Sequence, residues 1–428
     1  MLKEKVFWLD TVNMPTGDEH TTLPKNVDVA IIGGGYTGLT AALLLAKRGT
    51  QVAVLEAQTI GWGASSRNGG MVLTGLKIPM QTAINRYGRD LARQLFQCSL
   101  DSIDTVEKIV KENIIECGFA RTGHLLVANK PKHYKVLAEE VEFMTKEFDH
   151  DVHLVTRQEQ YQEIGSDLYY GALLDKVSAG VNPAQYVAGL AYAAEKAGAS
   201  IHSRTRVRTI EQRELLYFVQ TEHGTLTAKN VLVATNGYID SSTPKLRRKI
   251  IPIGSFIIAT EPLNAKLARE LSPNNRMIFD YKHFLNYFRL SDDNRMVFGG
   301  RAAFMPENQK TVLQSAKILE QEMVQIYPQL KDVKVEYAWG GTLGFAFDLM
   351  PHAGQTDGIY YALGYAGHGV AMGTYMGKTV AEAILHGTIK EHPFAAFPFP
   401  NAPLGLYWKK PWFLPLVGIW HRILDVIE

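Results

Sequence analysis

The stretch VDVAIIGGGYTGLTAALLLAKRGTQVAVLE, residues 27–56, decides how the first part of this chain folds. Residues 27–32 form a short apolar run rich in β-branched side chains, which predicts a buried parallel strand. A glycine turn follows at 33–38, then a helical pattern that ends at Gly49, then a second apolar strand that ends at Glu56. The order strand, glycine turn, helix and strand is typical of a βαβ unit that binds a dinucleotide.

Each glycine of this G-x-G-x-x-G motif has a mechanical role. Gly33 permits the tight turn, Gly35 lets the backbone approach a pyrophosphate, and Gly38 lets the helix and the strand pack closely. The N-terminus of the helix offers amides and the positive end of its dipole to phosphates. Glu56 lies 18 positions after Gly38, where an acidic side chain accepts hydrogen bonds from a ribose and disfavours a 2′-phosphate.

The composition excludes several classes of protein. The 428 residues include 45 Lys+Arg against 43 Asp+Glu, with both signs scattered, so no surface for nucleic acid is predicted. Cys98 and Cys117 form no CxxC pair, which excludes zinc ribbons, iron–sulfur sites and disulfide scaffolds and predicts no metal. No secretory leader and no run of roughly 18 apolar residues occurs, so we expect a cytoplasmic protein.

Residues 396–428 form a tail rich in tryptophan, with Trp408, Trp412 and Trp420 close to several basic side chains. The favoured interpretation is a tail that docks on the body of the protein. The alternative is a peripheral membrane contact, in which the indole rings lie at the level of the lipid headgroups.

A second glycine-rich cluster, GWGASSRNGG at 61–70, follows the βαβ unit. From this point the sequence resembles the D-amino-acid oxidase family of FAD-dependent amine oxidoreductases, which includes glycine, sarcosine and γ-glutamylputrescine oxidases. The resemblance continues through segments 178–207, 231–238 and 360–387 and covers most of the chain. It implies an α/β fold in which a Rossmann-type FAD-binding domain is interleaved with an α+β substrate domain built on a mostly antiparallel sheet.

The resemblance also implies the course of the chain between these domains. The FAD-binding domain is expected at 1–85, 150–240 and 335–395, the substrate domain at 86–149 and 241–334, and the tail at 396–428.

One FAD, bound across the glycine-rich segments, is the cofactor that the resemblance implies. In the family, residues near Val207 cover the adenine, the turn at 235–237 passes the phosphates, and a helix N-terminus at 367–370 faces the flavin pyrimidine. Amides at that helix N-terminus would stabilise the negative charge of a reduced flavin. The implied cofactor-binding residues are Gly33, Gly35, Tyr36, Thr37, Gly38, Glu56, Ala64, Ser65, Arg67, Asn68, Gly69, Gly70, Val207, Thr235, Asn236, Gly237, Gly367, His368, Gly369 and Val370.

Departures from the family pattern indicate how the cofactor and the substrate are held. Relatives that tether the flavin use a cysteine or histidine, but residues 339–351 contain no cysteine and residues 61–70 contain no histidine, which predicts non-covalent FAD. Cations that bind a substrate carboxylate in relatives are absent from 341–344 and 370–372. Because a buried carboxylate needs a paired cation, a small α-amino acid is disfavoured. Arg67 is expected to order the flavin surroundings, with carboxylate binding as the alternative role.

The resemblance therefore implies oxidation of a secondary or ω-amine, of the γ-glutamylputrescine type, with O2 as the oxidant and an aldehyde and hydrogen peroxide as products. Candidate catalytic residues are His368, Tyr365, Tyr287 and Trp339, with Phe284 as a further member of an aromatic wall. Aromatic rings attract a cationic amine by about 0.5–2 kcal/mol each. Three alternatives stay open: a dehydrogenase that passes electrons to a membrane quinone, a glycine- or sarcosine-type oxidase, and a flavin-binding module without turnover.

Overall fold

The computed structural model of the chain describes residues 2–16, 22–282, 284–300, 308–387 and 389–402. The strands are β1 (Asn26–Ile32), β2 (Val52–Leu55), β3 (Met71–Val72), β4 (His124–Val127), β5 (Val152–Val155), β6 (Ala172–Asp175), β7 (Ala179–Gly180), β8 (Ser200–His202), β9 (Val207–Arg213), β10 (Leu216–Thr221), β11 (Gly224–Val233), β12 (Ile250–Thr260), β13 (Met277–Asp280), β14 (Asn286–Leu290), β15 (Met296–Gly300), β16 (Val335–Ala346), β17 (His352–Thr356) and β18 (Ile359–Leu363). The helices are α1 (Tyr36–Ala46), α2 (Ala64–Arg67), α3 (Met80–Tyr87), α4 (Arg89–Glu112), α5 (Pro131–Phe148), α6 (Pro183–Lys196), α7 (Pro244–Arg247), α8 (Ala265–Leu271), α9 (Gln309–Ile326) and α10 (Gly369–His386).

The first sheet contains the predicted βαβ unit, with strand order β17-β18-β11-β1-β2-β8 and the hairpin β9–β10 attached to β11. Strand β1 lies parallel to β2 on one side and to β11 on the other. Val29 and Ile31 pack into the cluster that holds the helices α1, α6 and α10, whereas Ala30 and Ile32 face the opposite cluster. Burial of both faces explains why the strand reads as one continuous apolar run.

The second sheet is the predicted antiparallel sheet, with strand order β16-β12-β15-β14-β13-β4-β6-β5. All its pairs are antiparallel except β4 with β13. The turn predicted at 292–294 joins β14 to β15, where Asn294 has a left-handed φ of 61°. On this sheet the rings of Phe288 and Phe298 stack at 5.3 Å, in the same cluster as Leu319 of α9.

Sheet membership bears on the expected domain boundaries. Strands β5, β6 and β16 fall in segments assigned to the FAD-binding domain, yet they pair within the second sheet. These strands join the second sheet because they form hydrogen bonds with strands of other segments: β6 pairs with β4, and β16 pairs with β12. The division into two domains stays a prediction, and these pairings favour boundaries near residues 176 and 347.

Of the tail at 396–428, residues 403–428 lie outside the described part of the chain, and so do Trp408, Trp412 and Trp420. Among the residues that the structure describes, no helix combines the length and the apolar character needed to cross a bilayer.

Candidate active site

A cavity of about 650 Å³ is lined by residues of both sheets. It collects segments that are far apart in sequence, as the prediction of one cofactor bound across the chain requires. The predicted cofactor-binding residues in its wall are Gly33, Gly35, Tyr36, Thr37, Glu56, Ala64, Ser65, Arg67, Asn68, Gly69, Val207, Thr235, Asn236, Gly237, Gly367, His368, Gly369 and Val370. Gly38 and Gly70 lie outside the wall, so neither is placed to contact a ligand in the cavity directly.

The glycine turn before α1 is shaped by close backbone contacts. Gly33 has φ +112°, and a Cβ there would lie 2.9 Å from the carbonyl oxygen of Ala234 on the neighbouring strand. A Cβ on Gly38 would collide with the carbonyl oxygen of Gly33. Gly35 is the N-cap of α1, and the next amide, that of Tyr36, donates to the Ser65 hydroxyl at 3.2 Å. The turn therefore places the N-terminus of α1 against the cavity, as an anion-binding turn requires.

Glu56 closes β2 at the edge of the cavity. Its two carboxylate oxygens accept hydrogen bonds from the amides of Gly34 at 2.7 Å and Gln58 at 2.8 Å. Burial raises the pKa of Glu56, while these amide bonds and the charge of Arg206 oppose the rise. The position and the fixed orientation of this carboxylate fit the predicted contact with a ribose hydroxyl.

Arg67 is held firmly by the protein itself. Its Nε donates to the carbonyl of Trp62 at 2.7 Å, and its Nη1 donates to the carbonyl of Gly340 at 3.0 Å. The guanidinium also lies 4.8 Å from the centre of the Trp62 ring. These contacts favour the first predicted role for Arg67, in which it orders the surroundings of the flavin.

Trp339, predicted to be catalytic, is not among the residues of the cavity wall. Its indole is only 3% exposed, in the same cluster as Trp8 and Tyr337, and its Nε1 donates to the carbonyl of Arg67 at 3.0 Å. Arg67 belongs to the wall, so this indole contacts a wall residue without lining the cavity itself. Trp339 is therefore a support for the wall, and Phe284 also lies outside the wall.

The turn before α10 contacts the start of α1, although Thr37 and Tyr365 are 328 residues apart in the sequence. The hydroxyl of Tyr365 lies 2.7 Å from the hydroxyl of Thr37 and donates to the carbonyl of Ala362 at 2.8 Å. Burial raises the pKa of Tyr365, so this hydroxyl keeps its proton. Tyr287, on the second sheet, also lines the cavity, and its hydroxyl lies 3.0 Å from that of Ser255.

Two buried polar atoms in the wall test whether the cavity fits FAD. The hydroxyl of Thr235 and Nδ1 of His368 have no hydrogen-bond partner among the described residues. Burial, with the charges of Lys77 and His124, lowers the pKa of His368 to about 3, so the imidazole is neutral. Leaving such groups unpaired costs about 1–3 kcal/mol each, so a polar ligand is expected against them. Together with the glycine turn and Glu56, they fit a dinucleotide such as FAD.

A polar cluster in the cavity wall was missed by the sequence interpretation. Asp175 Oδ2 accepts hydrogen bonds from Thr74 at 2.6 Å and from His150 at 2.8 Å, and His124 Nδ1 lies 2.8 Å from the Ser178 hydroxyl. Burial raises the pKa of Asp175, but the bond from His150, the charge of His124 and the bond from Thr74 together lower it. The described residues contain no group of three or more metal-binding side chains arranged for an ion.

Lys77 and Glu140 are two further charged residues in the wall that sequence reasoning missed. Lys77 comes from the connection between β3 and α3, outside the segments 341–344 and 370–372 in which no cation occurs. Neither Lys77 nor Glu140 belongs to a recognisable sequence motif, so the sequence alone does not mark either residue as part of a binding site. Cys98 and Cys117 are buried and lie outside the wall.

Known proteins resemble this chain over most of its sequence. The chain is 34% identical over 400 residues to γ-glutamylputrescine oxidoreductase of Escherichia coli K12, covering 93% of this chain and 92% of that protein. It is 34% identical over 386 residues to the probable oxidoreductase OrdL of Haemophilus influenzae, covering 89% of this chain and 88% of that protein.

Solved structures show the same fold. The crystal structure of glycine oxidase from Geobacillus kaustophilus matches with a TM-score of 0.73 at 21% identity, covering 89% of this chain and 99% of that one. The DAO family, described as FAD dependent oxidoreductase, matches residues 28–383. The chain therefore belongs to the DAO family of FAD-dependent oxidoreductases, enzymes that act on the C–N bonds of amines and amino acids.

Proposed function

We propose that the protein oxidises an amine longer than a simple amino acid. FAD, held by the glycine turn before α1, by Glu56 and by the wall residues Thr235 and His368, would supply the redox chemistry: a two-electron oxidation at the carbon beside the amine nitrogen, with O2 as the final acceptor and hydrogen peroxide as its product. Water then hydrolyses the released imine. A primary amine gives an aldehyde and ammonia, and a secondary amine gives an aldehyde and a smaller amine.

The lining of the cavity is the observation that carries this proposal. Beyond the residues assigned to FAD, the cavity continues between the second sheet and the helices α4 and α5. We call this part the distal arm. It is lined by Phe96, Glu140, Met144, His150, Val152, Leu173 and Asp175.

The lining of the distal arm is contiguous and largely apolar. Val152 is paired with Asp175 across β5 and β6, and the rings of Phe96 and His150 lie 5.0 Å apart. Apolar pockets with a few placed polar groups are the usual environment of a bound small molecule. Glycine or sarcosine would leave this space unfilled, whereas the carbon chain of an extended amine would occupy it.

The charged groups near His368 favour the neutral, oxidisable form of an amine. The positive charge of Lys77 helps to lower the pKa of His368, after the larger effect of burial. An amine bound beside His368 would experience the same charge and the same desolvation, and both favour loss of its proton. No side-chain base is required to hold the nitrogen in this form.

Similarity to one relative supports the substrate class. That relative is named for γ-glutamylputrescine, an amine with a long chain and a polar group at its far end. A long-chain amine of this kind would use the apolar surface of the distal arm, which supports the proposal.

A peroxide-coupled screen of the holoenzyme tests the proposal. The substrates are γ-glutamylated amines, diamines, simple alkylamines, N-methyl amino acids and glycine. We expect kcat/KM to be highest for an amine with an extended chain. Faster turnover of glycine or sarcosine than of every extended amine would overturn it.

The cavity also supports a second candidate, oxidation of an amino acid whose carboxylate pairs with a cation. Lys77 is the observation in its favour, because it supplies a positive charge near His368. The same screen distinguishes the two candidates, since the second predicts that removing the carboxylate from a substrate abolishes turnover.

The electron acceptor is decided by a separate measurement. The holoenzyme is reduced by substrate without oxygen and then mixed with air. An oxidase regains its flavin absorbance within seconds, whereas a quinone-linked dehydrogenase stays reduced, and a flavin-binding module is never reduced at all.

A further inference from the structure

The distal arm contains a carboxylate for which the described part of the chain offers no ionic partner. Glu140 lies on α5 one turn before Met144, and it is half-buried in the cavity wall. Within the described ranges of the chain, no ion pair involves Glu140. The other carboxylate of the arm, Asp175, already accepts hydrogen bonds from Thr74, His150 and the amide of Val177.

Burial makes the missing partner significant. Desolvation alone raises the pKa of Glu140, because the charged form loses water without gaining a cation. A bound cation would restore a favourable partner to this carboxylate. A half-buried carboxylate also forms a stronger charge-assisted hydrogen bond than a fully exposed one.

A cation is disfavoured beside His368, which also lines the cavity. Lys77 contributes a positive charge that acts on His368, so a protonated nitrogen is unfavourable there. The cavity therefore has a positive charge near His368 and negative charges at the distal arm. In the distal arm, Phe96, Met144 and Leu173 supply apolar surface for a carbon chain.

We propose that Glu140 binds a protonated nitrogen that is not itself oxidised, so that the substrate is an amine with a second, cationic nitrogen. This inference rests on the proposed function, because it assumes that the amine to be oxidised lies at the other end of the same cavity. The substrate class comprises α,ω-diamines and amines that end in an amino acid group.

Two matched pairs of substrates test the inference. In one pair, 1,4-diaminobutane is compared with butylamine; in the other, γ-glutamylputrescine is compared with glutarylputrescine, which lacks only the second ammonium group. In any pair that is oxidised, kcat/KM for the member with the second cation should be about tenfold or more higher, mainly through KM. The variant Glu140→Gln should abolish that preference, because kcat/KM for the member with the second cation falls to that of the other member.

Glu139→Gln is the matched control, because Glu139 is the exposed neighbour on the same helix and lies outside the cavity wall. It should keep the preference of the unchanged protein. Glutamine has the shape of glutamate, so a thermal melt and the FAD content of Glu140→Gln should match those of the control.

Binding without turnover separates this inference from the proposed function. Each ligand is titrated anaerobically into the oxidised holoenzyme, with a non-oxidisable dication, 1,4-bis(trimethylammonio)butane, as an additional probe and flavin absorbance and calorimetry as readouts. One possible result is that dications bind more tightly than monocations, that Glu140→Gln removes this difference in affinity, and that no amine is oxidised. This result would defeat the proposed function and support the inference. The inference would be overturned if Glu140→Gln lowered kcat/KM and affinity equally for both members of a pair. It would also be overturned if the unchanged protein showed no preference in turnover or in binding.

Discussion

His368 shows how one residue of the cavity is tuned by its surroundings. Burial is the largest influence on its pKa, which lies near 3, and Nδ1 has no partner among the described residues. A histidine in the unfolded chain has a pKa near 6.5. Below that pH the unfolded state binds a proton that the folded state does not bind.

This difference predicts a pH dependence of stability in FAD-free protein. Because the unfolded state binds more protons between pH 6.5 and 3, the free energy of unfolding falls as the pH is lowered through this range. For this one group the loss between pH 7 and pH 5 should be about 2 kcal/mol. Urea unfolding of the unchanged protein and of His368→Gln should show it, with the smaller loss in the variant. Equal losses would contradict the neutral, buried imidazole.

Gly38 provides a second prediction at the residue scale. A Cβ there would collide with the carbonyl oxygen of Gly33, so Gly38→Ala must displace the turn. We expect the purified variant to contain less than about a tenth of the normal FAD, since the loss of one charge-assisted contact already costs about 1.5–3 kcal/mol. FAD content is measured by absorbance after denaturation.

Gly49→Ala is the control for this experiment. Gly49 has φ +79° and open space where a Cβ would lie, so this variant carries backbone strain of roughly 1 kcal/mol but no collision. It should retain FAD. Full FAD in Gly38→Ala would show that the turn tolerates the side chain.

At the scale of elements, the packing of α10 on α1 joins the first and last parts of the cavity. Gly377 of α10 lies so close to α1 that its Cβ would be 2.5 Å from the carbonyl oxygen of Thr37. The hydrogen bond between Tyr365 and Thr37 lies at the same junction. Two elements that both line the cavity, and that are predicted to contact FAD, are therefore held by direct helix contact.

The variant Gly377→Ala should reverse the usual effect of alanine in a helix. In an open helix this change stabilises by about 1 kcal/mol. Here the methyl group meets backbone atoms, and we expect destabilisation of about 1–3 kcal/mol instead. Urea unfolding measures the difference. Lys378→Ala, next on the same helix, should change stability by no more than about 0.5 kcal/mol, and a stabilised Gly377→Ala would contradict the close contact.

At the scale of the whole molecule, the cavity needs both sheets. The first sheet supplies the glycine turn and Glu56, and the second supplies Tyr287 and the polar cluster around Asp175. The two cysteines are buried away from the wall, so sulfur cannot tether the cofactor there.

Non-covalent FAD is the prediction at this scale. Precipitation of the holoenzyme with acid should release the flavin quantitatively into the supernatant. The released compound should behave as FAD in chromatography. A yellow pellet would contradict the prediction and would direct attention to the histidines of the wall, His124, His150 and His368.

Local sequence identified most of the segments that line the part of the cavity assigned to the cofactor, whereas contact with FAD stays a prediction. The turn at 33–38, the carboxylate at position 56 and the turn before α10 all lie in the cavity wall as expected. Each belongs to a short segment whose conformation depends on its own glycines and apolar residues. The part assigned to the substrate was predicted less well: Trp339 contacts a wall residue without lining the cavity, and Lys77 and Glu140 were not anticipated.

The sequence by itself determined the βαβ unit, the dinucleotide turn and the family resemblance. These features are encoded in consecutive residues, where backbone geometry and apolar periodicity act over short distances. Only the tertiary structure decided that Phe96, Glu140 and Asp175 meet in one arm of the cavity. They come from α4, α5 and β6, and the pairing of β6 with β4 and β5 brings them together. Contacts between such distant segments follow from packing of the whole chain, which no local pattern records.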